Sequence, residues 1–78
     1  MQTLEQIFGA AVRARREKRR ISQEDFADKA GIHRTYVSSI ELGKVTISIA
    51  IAEKLAVALE TPLSTLWRDV ERAQRKSD

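Results

Sequence analysis

Between Ser22 and Glu41, apolar residues recur at three- and four-residue spacing on both sides of a single break, Ala30-Gly31-Ile32. Phe26, Ala27 and Ala30 lead up to the break, and Val37 and Ile40 follow it. That spacing is the period of an α-helix rather than the alternation of a strand, so the stretch reads as two short helices meeting at a tight turn. Gly31 supplies the left-handed backbone such a turn requires. Ile32, Val37 and Ile40 are placed to fill the angle between the helices, with the small Ala27 letting them approach. Ser22 is spaced to accept a hydrogen bond from the Asp25 amide, and Glu24 and Asp25 suit the positive end of the helix that starts there.

The rest of the chain extends the helical period. A first helix is predicted from about Thr3 to Lys18, with Leu4, Ile7, Phe8, Ala11 and Val12 as its apolar stripe. Arg15 and Arg19 continue that stripe by burying their stems and sending the guanidinium outward. The helix after the turn runs from near His33 to Glu41. A fourth begins at Ser48 and carries Ile49, Ala52, Leu55, Ala56 and Leu59; a fifth starts at Thr61-Pro62 and carries Leu63, Leu66, Trp67, Val70 and Ala73. With three glycines, one proline and no internal repeat, nothing marks a linker. The expectation is an all-α, compact five-helix fold, one domain over residues 1–78.

Seventy-eight residues make a small core, burying roughly 60% of the surface that the unfolded chain exposes. With no cysteine and one histidine, disulfides and His/Cys metal cages are not available to reinforce it. Packing between helices, and between subunits, has to supply the stability. No basic-then-apolar leader opens the chain, and the apolar-rich run from Ile47 to Ala52 falls far short of the roughly 20 residues that span a bilayer. No membrane partner is expected, and the lack of cysteine favours a reducing compartment, the cytoplasm.

The formal net charge is +3, and six of the eight residues from Arg13 to Arg20 are basic, with Glu17 the one acid among them. Such a run either raises the local potential toward a polyanion or serves as a solvated helix end that complements the dipole. The helix from His33 is more specific. At about 100° per residue, Val37, Ile40 and the helix start at His33 point one way, and Arg34, Thr35, Ser38 and Ser39 point the other. The outward side is polar and free of acids. Its arginine can grip guanine O6 and N7, and its hydroxyls can meet base edges or phosphate. Tyr36 falls at the margin, either touching a thymine methyl or sugar or sealing the edge of the core. The layout is that of a helix-turn-helix, and the partner it fits is double-stranded DNA.

Ser22-Gln23-Glu24-Asp25-Phe26-Ala27, Ala30-Gly31-Ile32 and the run from Arg34 through Lys44 resemble the phage-repressor and Cro type of helix-turn-helix protein. The Arg34-Thr35-Tyr36 opening most resembles the controller proteins of restriction-modification systems. The resemblance implies that Arg34, Thr35 and Ser39 read bases, with Tyr36 beside them; Ser38, on the same outward side, is assigned to the base-reading set with them. It implies that Gln23 binds phosphate and that Lys44 lies in a backbone-contact loop; Ser22 and His33, at the two helix starts, join them as backbone contacts. It further implies an ion pair between Arg16 and Glu41, tying the first helix to the end of the recognition helix. This chain departs from the pattern at three positions. Arg20 and Glu60 stand where glycine is usual, so Arg20 must accept a left-handed conformation or the helix must end differently. His33 stands where a Ser, Thr, Asn or Asp cap is usual.

One recognition helix touches about four or five base pairs, too few for a unique genomic address, so a homodimer on a palindromic operator is expected. Ile47, Ile51, Leu66, Trp67 and Val70 are assigned to its interface, within a dimerisation region of about 45–73, some of them shared with the core. RNA polymerase is a further candidate partner of such a regulator. No cofactor, metal or small-molecule ligand is implied. An enzyme is disfavoured because there is no cysteine nucleophile and no histidine pair. The alternative from another class is an antitoxin or other protein-binding module with secondary DNA binding.

Overall fold

Three of the helices begin where a side-chain oxygen accepts from a free amide. In the computed structural model, which describes residues 1–76, helix α1 spans Leu4–Lys18 behind Thr3. Ser77 and Asp78, the end of the expected 1–78 domain, lie outside the described residues. The Thr3 hydroxyl accepts from the Gln6 amide at 3.1 Å, and the Gln6 side chain accepts from the Thr3 amide at 2.9 Å, a reciprocal capping box. Helix α2, Gln23–Ala30, starts behind Ser22, whose hydroxyl accepts from the Asp25 amide at 3.0 Å. Helix α4, Ile49–Ala58, starts behind Ser48, which accepts from the Ile51 amide at 3.1 Å. Helix α5, Leu63–Lys76, follows Pro62. In α3, Arg34–Glu41, His33 holds the cap position without a side-chain capping bond.

The first four helices end alike. Behind α1 the Ile21 amide donates to the Arg16 carbonyl at 3.2 Å and the Arg20 amide to the Glu17 carbonyl at 2.9 Å, and equivalent pairs close α2, α3 and α4. This Schellman arrangement needs one left-handed residue. Gly31 provides it after α2 at φ 71°, but Arg20 and Glu60 provide it after α1 and α4 at φ 59° and 54°. The helix does not find another ending; the non-glycine residues adopt the conformation, at about 1–2 kcal/mol each.

Helix α1 packs on α3 and α5, α2 on α3 and α4, and α4 on α5, so the main contacts close a ring around Phe26, Leu55, Leu59 and Leu66, all fully buried. Complete burial of side chains of this size contributes about 1.5–3 kcal/mol apiece. At the crossing of α1 and α3 the backbones nearly touch: a Cβ on Gly9 would lie 2.1 Å from the Ile40 carbonyl oxygen. Among the described residues no helix is long and apolar enough to cross a membrane.

Two expected stripes need correction. Ile49 is 82% exposed, and the core side of α4 is Leu55, Ala56, Ala58 and Leu59 with part of Ala52. Ile49 stands one turn before Glu53 and shares the exposed side of the helix with Ala50, Glu53, Lys54 and Val57. Leu4, at the open end of the α1 stripe, is also exposed.

Candidate nucleic-acid interface

Helix α3 is held to the core by Val37 and Ile40, 1% and 3% exposed, and this fixes which side it turns outward. Arg34 and Thr35 are exposed, and Ser38 and Ser39 are half-buried further along the same side. Tyr36 is half-buried and packs against the core, which leaves part of its ring accessible beside Arg34 and Thr35. No carboxylate is presented here, because the one acid of α3, Glu41, is turned inward.

Glu41 is accounted for by a compact network. Arg16 donates to both of its carboxylate oxygens, Nε to Oε2 at 2.7 Å and Nη2 to Oε1 at 3.0 Å, with Glu41 2% exposed at its side chain. The third arm, Nη1, donates to the Ile21 carbonyl at 2.8 Å. The Gln23 side-chain amide donates to Glu41 Oε1 at 3.0 Å. Hydrogen bonding to Glu41 holds the Arg16 guanidinium above its already high pKa, against the opposing effect of burial. One arginine thus joins α1, the loop before α2 and the end of α3. Through Glu41 it also positions Gln23. The sequence pattern carries no sign of the Gln23 bond, because its partner is 18 residues away.

The other residues assigned to the DNA backbone lie at the starts of α2 and α3 and in the loop after α3. Ser22 is exposed with its hydroxyl engaged in capping α2. His33 is exposed at the start of α3, and Lys44 is exposed in the loop after it, with its amide bonded to the Ser39 carbonyl at 3.0 Å.

The basic run from Arg13 to Arg20 is largely consumed inside the molecule. Arg13 pairs with Glu17 at 3.3 Å, Arg15 bidentately with Asp69, Arg16 with Glu41, and Arg19 with Glu60 at 2.9 Å. The Arg15 bond holds the Asp69 carboxyl below its ordinary value, with smaller help from the charges of Arg15, Arg72 and Lys18. Arg20 is exposed and, among the described residues, has no ion pair or side-chain hydrogen bond.

The residues assigned to a dimer interface divide. Leu66 and Val70 are 0% exposed and belong to the monomer core, so they present no surface to a partner; their positions on α5 face α1 and α4 directly. Ile47 and Ile51 are half-buried against the core, and Trp67 is 40% exposed with its ring 6.3 Å from that of Phe8. Sequence reasoning missed Ile49 here. It lines an apolar hollow with Phe8, Ala52 and Trp67, and the signal for its exposure was Glu53, one turn further along the same side of α4.

Comparison with known proteins agrees with this geometry. The profile of the helix-turn-helix family matches residues 12–66. The control protein C.MunI of a Mycoplasma species is 45% identical over 58 residues, covering 74% of this chain and 78% of that protein. The crystal structure of the restriction-modification controller protein C.AhdI from Aeromonas hydrophila superposes with a TM-score of 0.78 at 34% identity, over 80% of this chain and 94% of that one. The clp gene regulator ClgR of Corynebacterium glutamicum shares the fold at a TM-score of 0.92 over 97% of this chain and 81% of its own, with 18% identity.

Proposed function

The chain belongs to the helix-turn-helix family, and from that premise we propose that it is a sequence-specific regulator of transcription of the restriction-modification controller type, not an enzyme. The observation that carries this reading is the exposed side of α3, from which the helix's single acid has been withdrawn into a pair with Arg16. An anionic groove would repel an exposed carboxylate there and meets none.

In this reading Arg34 takes a guanine edge in the major groove, and Thr35, Ser38 and Ser39 meet neighbouring bases, with the Tyr36 ring against a methyl or sugar. Gln23, Ser22, His33 and Lys44 fix the register on the phosphates. Two copies associate through Ile47, Ile49, Ile51 and Trp67, presenting two α3 helices to half-sites roughly 34 Å apart. Bound at a promoter in the cytoplasm, the dimer excludes RNA polymerase or recruits it through an exposed helix.

The test is selection of bound duplexes from a random pool, followed by titration of the Arg34→Ala variant. The selected site should lose about 1–3 kcal/mol and become permissive at one position, while random duplex binding changes little. An unchanged ratio of specific to random affinity would overturn the assignment of Arg34. Sedimentation at micromolar concentration should show a dimer that Trp67→Ala weakens.

A further inference from the structure

We propose that Arg20 is a DNA-backbone contact, its guanidinium taking a phosphate adjacent to the one met by Gln23. The proposal rests on the DNA-binding reading and adds to it a residue that neither the helix-turn-helix pattern nor the outward side of α3 includes.

Three observations converge on Arg20. Its backbone is left-handed at φ 59°, a conformation that glycine adopts freely and an arginine does not. A side chain retained against that preference is expected to return something, and within the folded monomer it returns nothing. It is exposed and unpaired among the described residues, whereas Arg13, Arg15, Arg16 and Arg19 each hold a carboxylate. Glu60, the other non-glycine residue in this conformation, shows what an internal use looks like, because it accepts from Arg19 at 2.9 Å.

The third observation is placement. The next residue, Ile21, has its carbonyl bound by Arg16 Nη1 at 2.8 Å, and that same guanidinium holds Glu41 at the end of α3. Glu41 in turn holds Gln23, three residues beyond Arg20. The Arg20 loop is therefore tied by hydrogen bonds to both the recognition helix and the phosphate-facing glutamine, and keeps its place when they meet the duplex. The planar fork of a guanidinium suits two oxygens of one phosphate.

The experiment compares the full chain with Arg20→Gly and Arg20→Lys on the selected operator and on a random duplex, from 50 to 200 mM salt. Glycine fits the backbone, so Arg20→Gly should melt at or above the temperature of the parent. It should weaken both duplexes by the same factor, about 5- to 10-fold, and reduce the slope of log affinity against log salt by about 0.9, with Arg20→Lys keeping most of that slope. A folded Arg20→Gly with unchanged affinity and slope would refute the contact and leave the regulator reading intact. A loss confined to the operator would also refute it, by making Arg20 a base reader. If the parent chain binds no duplex from the pool, the underlying reading fails, and this inference fails with it.

Discussion

Helix α1 is joined to α3 and to α5 by neighbouring arginines, and the two junctions are built differently. Arg16 meets Glu41 with the carboxylate 2% exposed, next to a point where Gly9 lets the backbones come together. Arg15 meets Asp69 where both partners stay wet, with side chains 31% and 21% exposed. An enclosed pair leaves a costly orphan if one member is removed, whereas a solvated pair can hand its charges back to water. The chain fixes the recognition helix by the first method and its last helix by the second. The more enclosed of the two junctions is the one that orients α3.

This contrast can be broken most forcefully at Arg16. Arg16→Met should destabilise the fold by about 3–5 kcal/mol by stranding Glu41, enough to unfold much of so small a domain; urea titration followed by circular dichroism measures it. A loss below about 1 kcal/mol would put the two junctions on a par. Next comes Gly9→Ala, where the new methyl has no room beside the Ile40 carbonyl. A loss of about 1–3 kcal/mol in the same titration is expected.

The smallest effect belongs to the open junction. Asp69→Asn should cost about 0.5–1 kcal/mol at neutral pH. Because folding lowers the Asp69 pKa from its ordinary 3.8, its contribution is fully present above that value and is lost as pH falls through the lower, folded-state value. Melting temperatures recorded below pH 4 should therefore fall more steeply for the parent than for Asp69→Asn. Parallel profiles would show that the pair adds no stability.

The features legible in the sequence are those written in local chemistry. Ser22 and Ser48 start helices because a hydroxyl three residues ahead of an amide can reach it, and Gly31 turns the chain because it lacks a Cβ. The outward side of α3 follows from Val37 and Ile40 by the helical period alone. What escaped was set by tertiary packing. Leu66 and Val70 look like spare apolar surface until α1 and α4 cover them. The Arg15 bond to Asp69 spans 54 residues, and no local spacing announces it. Gly9 could be noticed only as a small residue inside an otherwise well-populated helix, without any hint of the carbonyl it accommodates.

The three-way grip of Arg16 also sets which codon changes this gene can absorb. Arg13 and Arg19 use single, solvated bonds that a lysine reproduces, so drift between the two amino acids is nearly silent there. At Arg16 a lysine keeps the charge but has no planar fork to hold both Glu41 oxygens and the Ile21 carbonyl at once. Lysine should therefore be tolerated at positions 13 and 19 and not at position 16.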